Sequence, residues 1–445
     1  MKFRRLCSLA SAILAGLVCL ASSPRLTLAQ GVPAKPSDIV VTKPESVGFS
    51  SERLARLHAN MHKEVDEKRL AGVVTLVARH GKIVDVDVYG KKDLASGAPM
   101  TQDTIFRIFS MTKTVTGVAM MILYEEGKWR PGDPISKYIP EFAHLKVFKG
   151  VDSSGNMIVE DPVHAPTMQE LMDHTAGFTY GIFGDGPVDK AYQSAAVMGS
   201  KNLQEMVDKL AKIPLLYQPG TKWVYSVSMD IQGYIIEKLS GQTFPEFVYD
   251  RITKPLGMND SDFMVPKDKW SRFATLYGEN AKGELVPQSS AGLTGDYTAE
   301  PGMPSGGGGM VSTAHDYFRF AQMLLNGGEL DGVRILAPAT VQLMSSNHLA
   351  PSLMTGEFSI GPETIRPGMG WGYDCAVFTD PAMANEIVGK GTFFWLGAAD
   401  TWYWIDPAND IVFVGMTQHM IGPNQPNVEQ LSRPTLYQAL VKPKM

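Results

Sequence analysis

The sequence predicts an α+β fold: one antiparallel sheet assembled from both ends of the chain, flanked by helices, with a mostly helical segment inserted between the two halves. Three observations carry this. Strand-like apolar runs occupy Val73–Arg79 and Ile83–Tyr89 near the start, and Thr392–Leu396, Trp402–Ile405 and Ile411–Met416 near the end. Between them, residues 105–310 carry helical spacings and long loops dense in Gly, Pro and Asp. Strands so far apart in the chain bury their faces most simply in a shared sheet. Residues 46–104 together with 311–445 are therefore assigned to the sheet domain, and 105–310 to the inserted one.

Residues 1–29 stand outside the fold. Lys2, Arg4 and Arg5 precede an apolar run from Leu6 to Ala21, and Thr27-Leu28-Ala29 supplies small residues for cleavage after Ala29. This is the pattern of an export signal, and the run is too short for a membrane span. The expected location is periplasmic or secreted. Residues 30–45, Pro-rich and aperiodic, read as an extended lead-in. Ser50 then opens a helix with Leu54, Leu57, Met61 and Val65 on one face. His58 and His62 lie four apart on it, but no Glu follows His58 and no third ligand is in view, so they read as a solvated face rather than a metal site. His80-Gly81-Lys82 joins the first two strands as a hairpin. Thr313 and Asp316 make a capping-box-like start for a helix through Phe320, Met323 and Leu324. A last helix is expected over about Val428 to Val441.

Loss of residues 1–29 removes Lys2, Arg4, Arg5 and Arg25 and no acid, so the 41 basic residues fall to 37 against 46 acidic ones, a net charge of −9. Such a balance argues against nucleic acid and anionic membranes as partners. Cys7 and Cys19 leave with the signal, and Cys375 remains alone, a buried inert thiol with no disulfide to make.

The most informative segment is Phe109-Ser110-Met111-Thr112-Lys113, at the head of a run whose apolar residues Val115, Val118, Met121 and Ile122 recur at helical spacing before Gly127. Positions three apart share a helix face, so Ser110 and Lys113 point into one space. An ammonium near pKa 10.4 is a poor base, but a desolvated lysine sheds its proton near neutrality and can activate a serine. Tyr225, in Pro219-Gly220-Thr221-Lys222-Trp223-Val224-Tyr225, is a second candidate, its phenolate made accessible beside a cation such as Lys113. The third is Trp395-Leu396-Gly397-Ala398, where Gly397 would let a substrate carbonyl approach the backbone and the Ala398 N–H bind an oxyanion. No serine lies in a G-x-S-x-G elbow. His174 reads as structural, and Gly306–Gly309 as a tight backbone turn beside the site, since it lacks the Gly-Lys-Ser/Thr of a phosphate loop. Trp371, Trp402 and Trp404 read as core, and Trp395 as a wall of an acyl pocket.

These three features in this order, with Leu171-Met172-Asp173-His174-Thr175-Ala176-Gly177-Phe178, Pro255-Leu256-Gly257-Met258 and Gly306-Gly307-Gly308-Gly309-Met310-Val311-Ser312-Thr313, resemble the serine hydrolases related to class C β-lactamases and D-alanyl-D-alanine carboxypeptidases, and among them the family VIII carboxylesterases. The resemblance spans nearly all of the mature chain. It implies a β-lactamase/transpeptidase-like fold, Ser110 as nucleophile, Lys113 and Tyr225 as its proton-handling partners, and the Ser110 and Ala398 N–H groups as oxyanion hole. It implies no cofactor and no metal.

The departures from that pattern bear on substrate. β-Lactamases and D,D-peptidases of the group usually carry Y-x-N and K-T-G, where this chain has Tyr225-Ser226-Val227 and Trp395-Leu396-Gly397. An indole cannot replace a charge-assisted hydrogen bond to a substrate carboxylate, worth about 1.5–3 kcal/mol. The expectation is an exported esterase acting on a small neutral ester of short acyl chain through a Ser110 acyl-enzyme, with Trp395 and Gly397 at the substrate. Two alternatives stay open: a β-lactamase, D,D-peptidase or amidase of the same fold, and a non-catalytic penicillin-binding-like envelope protein. Arg366 is a cation that a loop could bring to the site. Sequence leaves open which member of the Lys113/Tyr225 pair is deprotonated at rest, and no motif specifies an oligomeric state.

Overall fold

In a computed structural model the residues described are 39–290, 295–355, 359–360, 363–420, 422 and 425–442. The export signal expected over 1–29 lies outside them. The lead-in, expected to be extended, ends in a 3-10 turn at Pro44–Val47, with Pro at its start and Gly48 in the left-handed region to close it. Helix α1 (Ser51–Asp66) follows, capped by the Ser50 side chain and buried along Leu54, Leu57 and Met61. Strands β1 (Gly72–Arg79) and β2 (Lys82–Asp93) form the expected hairpin, with His80 and Gly81 both at positive φ as a two-residue turn requires.

After β3 (Ala98–Pro99) the chain enters α2 (Thr112–Glu125), in which every residue from Thr112 to Leu123 is buried. A helix buried on all sides belongs at the centre of a protein, and α2 packs there against α3 (Ser228–Ser240). The intervening segment is less helical than the spacing suggests. It includes two hairpins, Val147–Val151 with Met157–Glu160 and Tyr277–Glu279 with Leu285–Pro287. Its two ends are stitched together, Phe106 pairing with Ser312 and Arg107 with Val311. Helix α4 (Ala314–Leu325) follows, with the Thr313 side chain as its cap.

The remaining strands are β4 (Met369–Trp371), β5 (Ala376–Phe378), β6 (Phe393–Gly397), β7 (Thr401–Asp406) and β8 (Ile411–Met416). They complete, among the described residues, an eight-stranded antiparallel sheet in the order β4-β5-β6-β7-β8-β1-β2-β3. The junction between the two chain ends is β1 against β8, Val74 opposite Met416 through Arg79 opposite Ile411. One apolar core runs through both the sheet and the segment 105–310.

Both faces of the central strands are covered, which is why β8 reads as a continuous apolar run. Side chains alternate across a strand, so Trp402 and Trp404 of β7 face α5 (Val428–Tyr437), with the Trp402 indole N–H donating to Ser432, while Tyr403 faces Tyr317 of α4. Trp402 and Trp404 are thus core. A Cβ on Gly415 would lie 2.2 Å from the Trp402 ring, so only glycine fits opposite it. Helix α5 stops at Tyr437, short of the expected Val441, because Leu440 pairs with Phe49 and draws the chain back to its beginning. Cys375 is buried, and burial pushes its thiol up, away from reactivity. Among the described residues no helix is long and apolar enough to cross a membrane.

His58 and His62 correct the expectation of a solvated face. Each is half-buried against β2, His58 Nε2 2.9 Å from Asp85 Oδ2 and His62 Nε2 2.8 Å from Asp87 Oδ2. The hydrogen bond to Asp85 holds the His58 pKa above its ordinary value near 6.5. A raised folded-state pKa contributes stability that is fully present below the unfolded value and lost as pH rises through the folded one. The melting-temperature gap between wild type and His58→Gln is therefore expected to be wider at pH 5.5 than at pH 8.5, and a gap that widens with pH contradicts the pairing.

Candidate active site

The segment before α2 places Ser110. Phe109–Met111 is a 3-10 turn rather than the first turn of the helix itself, and Phe109 sits at φ +40, a conformation that a bulky residue adopts only under constraint. The constraint comes from several sides. The Ile108 N–H donates to the Met310 carbonyl at 3.1 Å, the Tyr317 hydroxyl to the Met111 carbonyl at 2.9 Å, and the Thr401 hydroxyl to the Ile108 carbonyl at 3.2 Å. Gly397 belongs to this frame. A Cβ there would lie 2.4 Å from the Ile108 carbonyl and 2.2 Å from Thr401 Oγ1. The close approach that glycine permits here is that of β6 to the serine turn.

Lys113 is fully buried in the first turn of α2. Its Nζ lies 3.2 Å from Ser110 Oγ, 3.0 Å from the Tyr180 hydroxyl and 2.5 Å from the Gly307 carbonyl. Desolvation lowers its pKa to about 7, against weaker upward pulls from Asp230 and Asp374. Burial pushes both of those carboxyls up as well, toward the neutral acid. A neutral amine has two N–H donors and one lone pair. The Gly307 carbonyl can only accept, the Tyr180 hydroxyl takes the second N–H, and the lone pair is left for the Ser110 proton.

Tyr225 lies just before α3, buried, with the Lys113 Nζ 4.5 Å from its ring centroid. It is hydrogen-bonded to Ser110, and its oxygen accepts the Trp395 indole N–H at 3.0 Å. Burial raises its pKa, so the phenolate expected from proximity to Lys113 is disfavoured: desolvation of the anion outweighs the hydrogen bonds with Ser110 and Trp395. The Trp395 N–H thus donates to the Tyr225 oxygen, and Tyr225 and the Lys113 Nζ both meet the Ser110 hydroxyl.

Trp395, expected at the substrate, has its indole N–H engaged by Tyr225. It is buried behind Tyr225, edge-on to Trp371 at 4.6 Å, because its position on β6 turns it into the core. His174 lies in the same aromatic cluster, 4.9 Å from the Tyr225 ring, with Nδ1 3.1 Å from Ser226 Oγ. Desolvation keeps its imidazole neutral by lowering its pKa.

Over Ser110 opens a cavity of about 120 Å³, lined among others by Phe109, Tyr180, Tyr225, Gly307 and Ala398. Among the described residues no Lys or Arg lines it. Arg366 lies elsewhere, donating to the Ala384 carbonyl at 3.1 Å with Glu386 at 3.5 Å. Among the described residues no group of three or more His, Cys, Asp or Glu side chains is placed to hold a metal.

Two parts of the site escaped the sequence reading. Tyr180, two residues beyond the Leu171–Phe178 segment, carries no spacing signal toward Lys113. Asp230 anchors the glycine turn, accepting from Ser305 Oγ at 2.5 Å and from the Gly307 N–H at 3.2 Å, and so supports the carbonyl that meets Lys113. A Cβ on Gly307 would come within 2.3 Å of the Tyr180 hydroxyl, which explains glycine in the turn.

The profile of the Beta-lactamase family matches residues 57–432. The protein Rv1367c of Mycobacterium tuberculosis is 34% identical over 365 residues, covering 81% of this chain and 89% of its own. Esterase EstB of Burkholderia gladioli is 31% identical over 371 residues, covering 80% of this chain and 87% of its own. Among solved structures, EstCE1, a hydrolase with promiscuous acyltransferase activity, superposes with a TM-score of 0.72 at 25% identity, over 87% of this chain and 99% of that one.

Proposed function

The chain belongs to the Beta-lactamase family, a serine-hydrolase fold family, and from that premise we propose that it is an exported carboxylesterase acting on neutral esters through a Ser110 acyl-enzyme. The observation that carries the reading is the cavity over Ser110, small, largely apolar and, among the described residues, without a lysine or arginine in its lining. A penicillin or a peptide C-terminus brings a carboxylate that would have no cation to meet there, whereas an ester brings none. The similarity to Esterase EstB supports the same class.

Lys113 acts as the general base and Tyr225 as the hydroxyl donor. Ser110 Oγ attacks the ester carbonyl as its proton passes to the Lys113 lone pair, and the oxyanion is received by the Ser110 and Ala398 backbone N–H groups. The proton then returns through the Lys113/Tyr225 pair to the alcohol oxygen as the C–O bond breaks. Water enters by the same route in reverse and releases the acid. Tyr180 keeps one Lys113 N–H occupied and so holds the lone pair toward serine.

The decisive assay compares p-nitrophenyl butyrate with nitrocefin and a D-Ala-D-Ala peptide. The ester is expected to have the highest kcat/KM by at least tenfold. Higher kcat/KM on nitrocefin or on the peptide returns the chain to the β-lactamase or D,D-peptidase class.

A further inference from the structure

We propose that the exposed lip formed by Ile182 and Phe183 binds the alcohol part of the ester, and that this alcohol is an apolar alkyl or aryl group. The inference rests on the esterase reading and adds the chemical class of its leaving group. Ile182 is 54% and Phe183 47% exposed, yet both line the cavity over Ser110. Two adjacent large apolar side chains at the mouth of an apolar cleft form the kind of surface that a ligand covers.

The lip is held in place before any substrate arrives. The Thr179 hydroxyl donates to the buried Asp189 carboxylate at 2.8 Å, and the Gly181 carbonyl accepts from Gln193 Nε2 at 2.6 Å. Gly181 has φ +72, and a Cβ there would lie 2.5 Å from Tyr192 Cβ, so the loop crosses the Pro187–Ser194 helix only as glycine. The order of the loop favours a built binding surface over a passive surface turn.

The chemistry of the leaving group selects alcohol over acyl. When the tetrahedral intermediate collapses, the carbonyl re-forms, the bond to the alcohol oxygen breaks, and the proton taken from Ser110 passes to that oxygen. The oxygen must then lie within hydrogen-bond reach of the Tyr225 hydroxyl or Lys113 Nζ. The Phe183 ring centroid is 6.0 Å from both the Tyr225 and the Tyr180 rings. The substituent on the departing oxygen therefore emerges alongside Phe183. Ala398 and Gly308, which also line the cavity, are left to the carbonyl oxygen and the acyl chain.

The test uses two series of alkyl esters followed by acid release. One fixes the butyryl group and varies the alcohol from ethyl through hexyl to 2-phenylethyl; the other fixes ethanol and varies the acyl group from acetyl to octanoyl. In Phe183→Ala the kcat/KM ratio of 2-phenylethyl to ethyl butyrate should fall about tenfold, with Phe183→Leu restoring most of it and the acyl-length profile keeping its slope. Ile182→Ala, at the more exposed position, should lower the same ratio in the same direction. A loss that follows acyl length, or one uniform across alcohols, overturns the assignment while leaving the esterase reading intact. Wild-type protein that turns over no ester in either series overturns the reading and the assignment together.

Discussion

Ser110→Ala is expected to abolish ester turnover, with kcat falling by about 10⁵–10⁶-fold, the loss typical of removing a serine nucleophile. The residue combines three features: a lysine amine 3.2 Å away, a hydroxyl at the floor of the apolar cavity, and a turn anchored through the Ile108 and Met111 carbonyls. Loss of one oxygen from a half-buried side chain should leave stability within about 0.5 kcal/mol of wild type. A fluorophosphonate should label the wild-type chain at Ser110 and leave the variant unlabelled. An adduct mapped to another serine would withdraw the assignment.

The second large effect comes from the base and its partner. Lys113→Met, Tyr225→Phe and the double variant should each lose about 10²–10⁴-fold in kcat/KM, with the double no worse than the more damaged single, since both act on one proton. The pH dependence carries an independent signature. Lys113 must be neutral to accept the serine proton, and its pKa is lowered to about 7. Wild-type kcat/KM should therefore rise with pH through about 7 and level off above it. Tyr225, whose pKa is raised by burial, should add no falling limb below pH 10. Multiplying losses in the double variant, or a profile already flat through pH 7, would contradict a lysine base.

How much of this was legible in the sequence can be followed residue by residue. The helix at Leu54, Leu57 and Met61, the hairpin at Gly81 and the strands of β7 and β8 follow from local periodicity and turn chemistry, which act over a few residues and are written in the chain. The shared sheet followed from parsimony, and the pairing of Val74 with Met416 realises it. The Ser110–Lys113 contact was legible because both residues lie within one helical turn of each other.

Contacts between distant segments were legible only as candidates. The motif at Trp395 adjoins the site in sequence, whereas its contacts with Tyr225 and Trp371 come from strand alternation and from segments far away in the chain. The spacing of His58 and His62 suggests a solvated face because their carboxylate partners sit on another element, β2, at a register no spacing rule encodes. Tyr180, Asp230 and Gly307 have no local pattern that points to Lys113.

The sequence by itself determined the class of fold, the serine–lysine pair and the absence of a lysine at position 395, since each is a matter of residue identity and short-range spacing. The tertiary structure alone decided which way protons are held. Whether Lys113 is a base and Tyr225 a donor depends on how completely α2, the Gly306–Gly309 turn and β6 exclude water from both. Desolvation is a property of everything packed around a group, and it is therefore set by contacts hundreds of residues apart.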